Sequence, residues 1–253
     1  MIDLYYWANR PNFGDAIALP LTQHFTQVET RWAAPPNARV VTCGSVLGHL
    51  PDDWNGIVCG AGSLTAGEIG DIRPFATLAL RGLLTYREFK WRGFEPTTCA
   101  IGDPALLATE LYPPVTDDQR YDLGVMPHWT DTELLPRIIE ERKFYKGKWS
   151  ILAIDPRSVP QVVVDQIACC DKIVSSSLHG IIVADAYGVP RRAERFSRMF
   201  TRYEGGEYKW HDYASMTGKP ISFGRTIEVD RGRVDRAKQE LFDAFGRLGR
   251  LFR

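Results

Sequence analysis

An α/β chain with two parallel sheets facing each other across a cleft is predicted by three features of the sequence. Short apolar runs alternate with helical stretches, the pattern of parallel strands joined by crossover helices. The alternation pauses at Pro113-Pro114-Val115-Thr116-Asp117-Asp118 and then restarts, as at a boundary between two halves. Polar residues fall where the apolar runs end: Asp15, Ser45 and Arg81 before the linker, His128, Asp155 and His179 after it. Open α/β sheets bind ligands at the carboxyl ends of their strands. The expected organisation is therefore two Rossmann-like domains, 1–116 and 120–226, with a C-terminal helix in 227–253 packing back on the body.

Each element follows from local chemistry. Leu4-Tyr5-Tyr6-Trp7 reads as the first strand, and residues 9–15 form a loop rich in turn formers. Asp15 is expected to cap a helix running from residue 16 to about 27. Residues 39–45 and 56–63 are apolar runs that each end in Gly and Ser, so backbone amides can face a ligand. Gly60-Ala61-Gly62 lacks the third glycine of a dinucleotide fingerprint. Residues 75–80 form a strand that ends at Arg81, whose guanidinium is suited to a carboxylate or phosphate. A helix over 83–91, a strand over 97–101 and a turn over 102–107 follow.

Beyond the linker, strands are expected at 122–127 and 150–155, with helices at 133–145 and 159–168. Ile173-Val174 is a strand end, Ser175-Ser176-Ser177 a turn, and the next apolar segment a helix stopped by Gly188 and Pro190. The first turn of that helix offers unpaired N–H groups and partial positive charge, an anion site. His179 beside it can move a proton. A serine N-cap followed by a structural histidine is the alternative. Arg191, Arg192, Arg195, Arg198 and Arg202 form either a solvated face or an entrance for an anionic substrate. Lys209-Trp210-His211-Asp212-Tyr213 suggests a sugar platform. Residues 234–248 form an amphipathic helix, packed on the body or, with Arg247, Arg250 and Arg253, touching a membrane surface.

Composition removes several function classes. Lys plus Arg equal Asp plus Glu, so the chain is not a bulk nucleic-acid binder. Five cysteines without a C-x-x-C pair point to reduced thiols, not to a disulfide or zinc framework. No signal peptide and no stretch of transmembrane length is visible. A cytoplasmic protein with no metal is expected.

Taken in order, Asn12-Phe13-Gly14-Asp15, Gly44-Ser45-Val46-Leu47, Gly60-Ala61-Gly62, Leu80-Arg81-Gly82, Gly102-Asp103-Pro104-Ala105-Leu106-Leu107, Met126-Pro127-His128-Trp129, Ser175-Ser176-Ser177-Leu178-His179-Gly180 and Lys209-Trp210-His211-Asp212-Tyr213 resemble the motifs of polysaccharide pyruvyl transferases. The nearest likeness is to the ketal pyruvate transferases of bacterial exopolysaccharide synthesis. The resemblance implies a GT-B-like fold, phosphoenolpyruvate as donor substrate and no cofactor. It implies a hexose acceptor, free or on a polyprenyl diphosphate carrier at the inner face of the cytoplasmic membrane. The product would be a cyclic pyruvate ketal, with phosphate released.

On this reading His179 is the general acid, and the base is Asp15 or else His128. The donor is held by Gly14, Ser45, Arg81, Ser176, Ser177, Gly180 and Lys209, and the acceptor by Trp129, Trp210, Asp212 and Tyr213. Members of the family can carry arginine where this chain has Ser177, which shifts anion binding toward Arg81 or Lys209. The rival enzyme reading is a GT-B glycosyltransferase using a nucleotide sugar. A non-catalytic carbohydrate-binding protein is the alternative from a different class.

Overall fold

In the computed structural model, which describes residues 1–94, 96, 98–114, 120–197 and 207–253, the strands form two sheets. β1 (Ile2–Tyr5), β2 (Thr30–Trp32), β3 (Val40–Val41), β4 (Ile57–Cys59), β5 (Ala76–Leu80) and β6 (Ala100–Ile101) pair in the order β2-β1-β3-β4-β5-β6, all parallel. β7 (Leu123–Met126), β8 (Ile151–Ala153), β9 (Ile173–Ser175), β10 (Arg191–Ala193) and β11 (Thr226–Ile227) pair in the order β11-β10-β9-β7-β8. Here β11 runs antiparallel, so the second sheet is mixed where a wholly parallel one was expected. An antiparallel edge strand pairs without a crossover helix, so no apolar helical run announces it.

The helices are α1 (Phe13–Ala16), α2 (Ala18–Thr26), α3 (Leu83–Trp91), α4 (Ala108–Leu111), α5 (Leu135–Lys146), α6 (Pro160–Ala168), α7 (Leu178–Tyr187), α8 (Tyr208–Thr217) and α9 (Arg231–Arg250). α7 is apolar around nearly its whole circumference and has no exposed residue. A helix of that kind belongs in the interior. It packs on the 3₁₀ turn Pro104–Leu107 and α4 from the first half, and on α6, β9 and β10 from the second. One apolar cluster consequently runs from Ile2 and Phe13 through Leu106 to Ile173, Ile181 and Phe245. Gly188, left-handed at φ 72°, ends the helix as its sequence predicts.

Both sheets have a topological switch point. β1 lies between β2 and β3, and β7 lies between β8 and β9, so successive crossovers run to opposite sides of each of these strands. The crevice at the carboxyl end of such a pair is where open α/β sheets receive ligands.

Several expectations change. Asn12, not Asp15, caps α1: its side chain accepts from Gly14 N, and Asp15 sits inside the first turn. Arg191 belongs to neither a solvated face nor an entrance. It is buried in β10, a strand with no apolar run to betray it, and its guanidinium donates to Asp185 at 3.0 and 3.3 Å. Arg198, Arg202, Thr97 and residues 115–118 of the linker lie outside the described residues.

α9 turns Val234, Ala237, Leu241, Ala244, Phe245 and Leu248 onto the first sheet. Arg247 donates to Thr98 and Arg253 to the carbonyl of Thr26, so these two cations are engaged with the body. Among the described residues no helix is long and apolar enough to cross a membrane.

Asp185 on α7 ties three elements together. It accepts from Arg191 of β10 and, at 2.9 Å, from the Tyr213 hydroxyl of α8. Its carbonyl accepts from Arg231 of α9. Asp185→Ala leaves a buried guanidinium without its counter-ion, a loss of about 3–5 kcal/mol. The urea midpoint is expected to fall accordingly, and an unchanged midpoint would show that the cluster contributes nothing to stability.

Candidate active site

The two switch points open into one cleft of about 560 Å³, within the size range of small-molecule sites. Trp7, Asn12, Asp15, Ser45, His49 and Leu64 line it from the first half. His128, Trp129, Thr130, Ser177, Leu178 and His179 line it from the second, and Lys209 enters from α8.

Asp15 follows β1. Its Oδ2 accepts from Asn12 Nδ2 at 2.5 Å, and its Oδ1 packs against Gly44, where any Cβ would collide with it. Burial raises its pKa to about 7; the Asn12 hydrogen bond and the Lys209 charge oppose this, and the carboxyl of Asp103 adds to it. A carboxyl tuned this way gives and takes a proton near neutral pH.

His179 sits in the first turn of α7, its ring edge against Gly14, where any Cβ would overlap the imidazole. Gly14 therefore serves as the close-approach point of the two halves, not as an open donor contact. Burial, with Arg81, Lys209 and His128 adding positive charge nearby, lowers the His179 pKa to about 3. The imidazole is thus neutral at physiological pH, which removes the imidazolium expected of a general acid.

The serine turn divides its labour. Ser175 Oγ accepts from Ser177 N at 2.9 Å, and Ser176 Oγ accepts from His128 N at 2.7 Å. Ser176 is fully buried and holds the loops after β7 and β9 together; it does not face the cleft. Gly180 is likewise a packing residue, pressed against Ser175 and Met126. Ser177 is the serine on the cleft wall, and its side chain makes no cap hydrogen bond.

Arg81 lies behind the wall, at 1% exposure. It donates to Asp212 Oδ2 at 3.0 Å, to Ser45 Oγ at 2.6 Å and to the Ser63 carbonyl at 2.5 Å. Gly62 leaves the space its guanidinium occupies. Arg81 therefore orients Ser45 and charges the region, and among the described residues Lys209 is the lysine or arginine on the cleft wall.

Asp212 is buried beneath Arg81 and also accepts from Thr85 N and Thr85 Oγ1. Trp210 and Tyr213 are buried too, Trp210 against Phe223 and Tyr213 on Asp185. These three residues, expected to hold an acceptor, hold α8 to the body instead. Asp155 is spent on Arg157, away from the cleft.

Of the expected acceptor residues Trp129 does line the cleft, and Trp7 meets it with ring centroids 5.2 Å apart. His128 lies beside Trp129, its Nδ1 2.9 Å from Thr130 Oγ1. Sequence reasoning missed Trp7, Asn12 and the fully buried Asp103, whose carboxylate stands 3.8 Å from His179. Trp7 closes the first strand's apolar run, and Asn12 precedes an Asp by three residues; both positions carried a signal. Among the described residues no group of three His, Cys, Asp or Glu side chains is placed to hold a metal ion.

The sequence is also similar to known proteins. The chain is 28% identical over 232 residues to the succinoglycan biosynthesis protein ExoV of Rhizobium meliloti (strain 1021), covering 85% of this chain and 64% of that protein. It is 30% identical over 146 residues to an uncharacterized protein of Acanthamoeba polyphaga mimivirus, covering 55% and 47%. The chain thus spans less than two thirds of the length of either relative. Residues 71–193, which include Arg81, His128, Trp129, Ser177 and His179, match the family model described as polysaccharide pyruvyl transferase.

Proposed function

We propose that this protein transfers pyruvate from phosphoenolpyruvate to a hexose of an exopolysaccharide, or of its lipid-linked repeat unit, as a cyclic ketal. One observation carries the reading: an anion-binding end and a proton-carrying end share one cleft. The N-terminus of α7, with Ser177, faces the same space as Lys209, Asp15 and His179. A donor that carries both phosphate and carboxylate needs such cations and N–H groups. Trp7 and Trp129 give a sugar ring an apolar wall.

The perturbed acidities support a particular assignment of roles. Asp15, its pKa raised to about 7, keeps a proton that neutral His179 lacks. Asp15 delivers that proton to the methylene carbon of the donor, which becomes a methyl group. A sugar hydroxyl then bonds to the neighbouring carbon and passes its proton to His179. The carbon–phosphate oxygen bond breaks, the second hydroxyl closes the ketal, and its proton leaves with phosphate. Return of a proton from His179 to Asp15 resets the site. Atoms balance without a redox partner. This assignment exchanges the roles that the sequence alone suggested for these two residues. His128 lies close enough to Trp129 and Thr130 to orient the acceptor.

The direct test incubates the protein with phosphoenolpyruvate and candidate glycosides. Phosphate release, with a sugar mass gain equal to pyruvic acid less water, is expected. Stabilisation by nucleotide sugars, with no release of phosphate from phosphoenolpyruvate, would contradict the reading.

Lys209→Met is expected to raise the donor KM roughly 10- to 100-fold, the worth of one charged hydrogen bond, in steady-state assays on folded protein. The acid must be protonated to act, so kcat/KM should decline as pH rises through about 7. Asp15→Asn should remove that limb and lower kcat/KM roughly 10²- to 10⁴-fold. A variant that keeps the limb would move the acid role elsewhere.

A further inference from the structure

Asp103 and His179 face each other across the junction of the two halves, each presenting a buried atom with no hydrogen-bond partner. Asp103 Oδ2 and His179 Nε2 are 3.8 Å apart, and neither is bonded to anything else. A buried polar atom left in that condition is costly. The carboxylate is not free to turn away. Its Oδ1 accepts from Ala105 N at 2.9 Å, capping the 3₁₀ turn Pro104–Leu107, and this fixes the direction in which Oδ2 points. The imidazole is restricted as well, with its Nδ1 edge against Gly14 and Phe13 edge-on to the ring.

At 3.8 Å the pair is beyond a hydrogen bond, but the gap closes with under about 1 Å of movement, the sort of tightening that follows substrate binding. Only one tautomer satisfies it. An ionised carboxylate accepts and does not donate, so the proton of neutral His179 has to sit on Nε2. Nδ1, on the opposite side of the ring from Asp103, is then left as an acceptor.

We infer that Asp103 is a positioning residue that holds His179 as the Nε2–H tautomer, which makes Nδ1 the atom that takes the sugar hydroxyl proton. The catalytic part of this inference rests on the role given to His179 above; the tautomer does not. The logic is that of metal- and triad-bound histidines, whose reactive nitrogen is set by what the other nitrogen meets.

Asp103→Asn is the informative change. Asparagine keeps an oxygen for Ala105 N, because it is an equally good cap, and turns an amide N–H₂ toward Nε2. The favoured tautomer then inverts. Nitrogen-15 NMR of histidine-labelled protein, with the His179 signals assigned through their loss in His179→Gln, reads the tautomer without any substrate. The expected result is Nε2–H in the native protein and Nδ1–H in Asp103→Asn. In turnover assays kcat should fall roughly 10²- to 10⁴-fold while the donor KM moves by less than about threefold, which separates a lost orientation from a lost binding contact.

A native protein with its proton on Nδ1 would overturn the inference. So would an Asp103→Asn protein that keeps Nε2–H or the native kcat. If Asp103→Asn does not fold, the native spectrum alone decides. If the native protein is Nε2–H but turns over no phosphoenolpyruvate, the positioning role stands and the proposed reaction falls.

Discussion

The arrangement of this protein depends on one buried helix. α7 is surrounded by both halves, so the partial positive charge at its N-terminus is shielded from bulk water on every side but the cleft. The groups near that end follow the resulting electrostatics. Burial, with positive charge from Arg81, Lys209 and His128, keeps the proton off His179. Asp15 and Asp103 offset that charge, yet both carboxyls are so buried that their pKa values rise, to about 7 and about 6. The site thus combines a strong field with proton carriers displaced from their usual ranges, an arrangement typical of places where chemistry occurs.

The two sheets contribute unequal parts. The first supplies Asp15 and Ser45 at its switch point; the second supplies His128, Ser177 and His179 at its own. Contact at Gly14 and His179 brings the sets together, reinforced by the backbone bond from Phe13 N to Pro156 O. α8 completes the cleft through a division of one helical turn. Lys209 reaches the wall, and Asp212, three residues on, anchors Arg81 behind it. That spacing places the two side chains on neighbouring parts of one helix face, so the visible cation and the anchor of the hidden one are coupled by geometry.

Much of the framework was legible in the sequence, because strand ends are marked twice: by the close of an apolar run and by the polar residue that follows. Asp15, Ser45, His128 and His179 were found this way. The parts that were not legible depend on tertiary contacts. β10 was hidden because its arginine is neutralised by Asp185, six residues earlier on a helix. Trp210 and Tyr213 suggest a platform in sequence, but their spacing of three equally suits the buried face of a helix; the structure selects the buried face. The part played by Asp103 is not legible in sequence, since nothing local to Gly102-Asp103-Pro104 reveals the histidine 76 positions further on. Acidity was also beyond reach, because it depends on burial and on charges brought in by Arg81, Lys209 and His128 from distant parts of the chain.

The central claim is that one ligand bridges the two switch points. Amide hydrogen exchange with and without phosphoenolpyruvate addresses it most directly. The account predicts slower exchange together in residues 13–17, 44–46, 177–182 and 208–210, drawn from both halves and from α8. Protection confined to the segments of one sheet, or absent from all four, would contradict it.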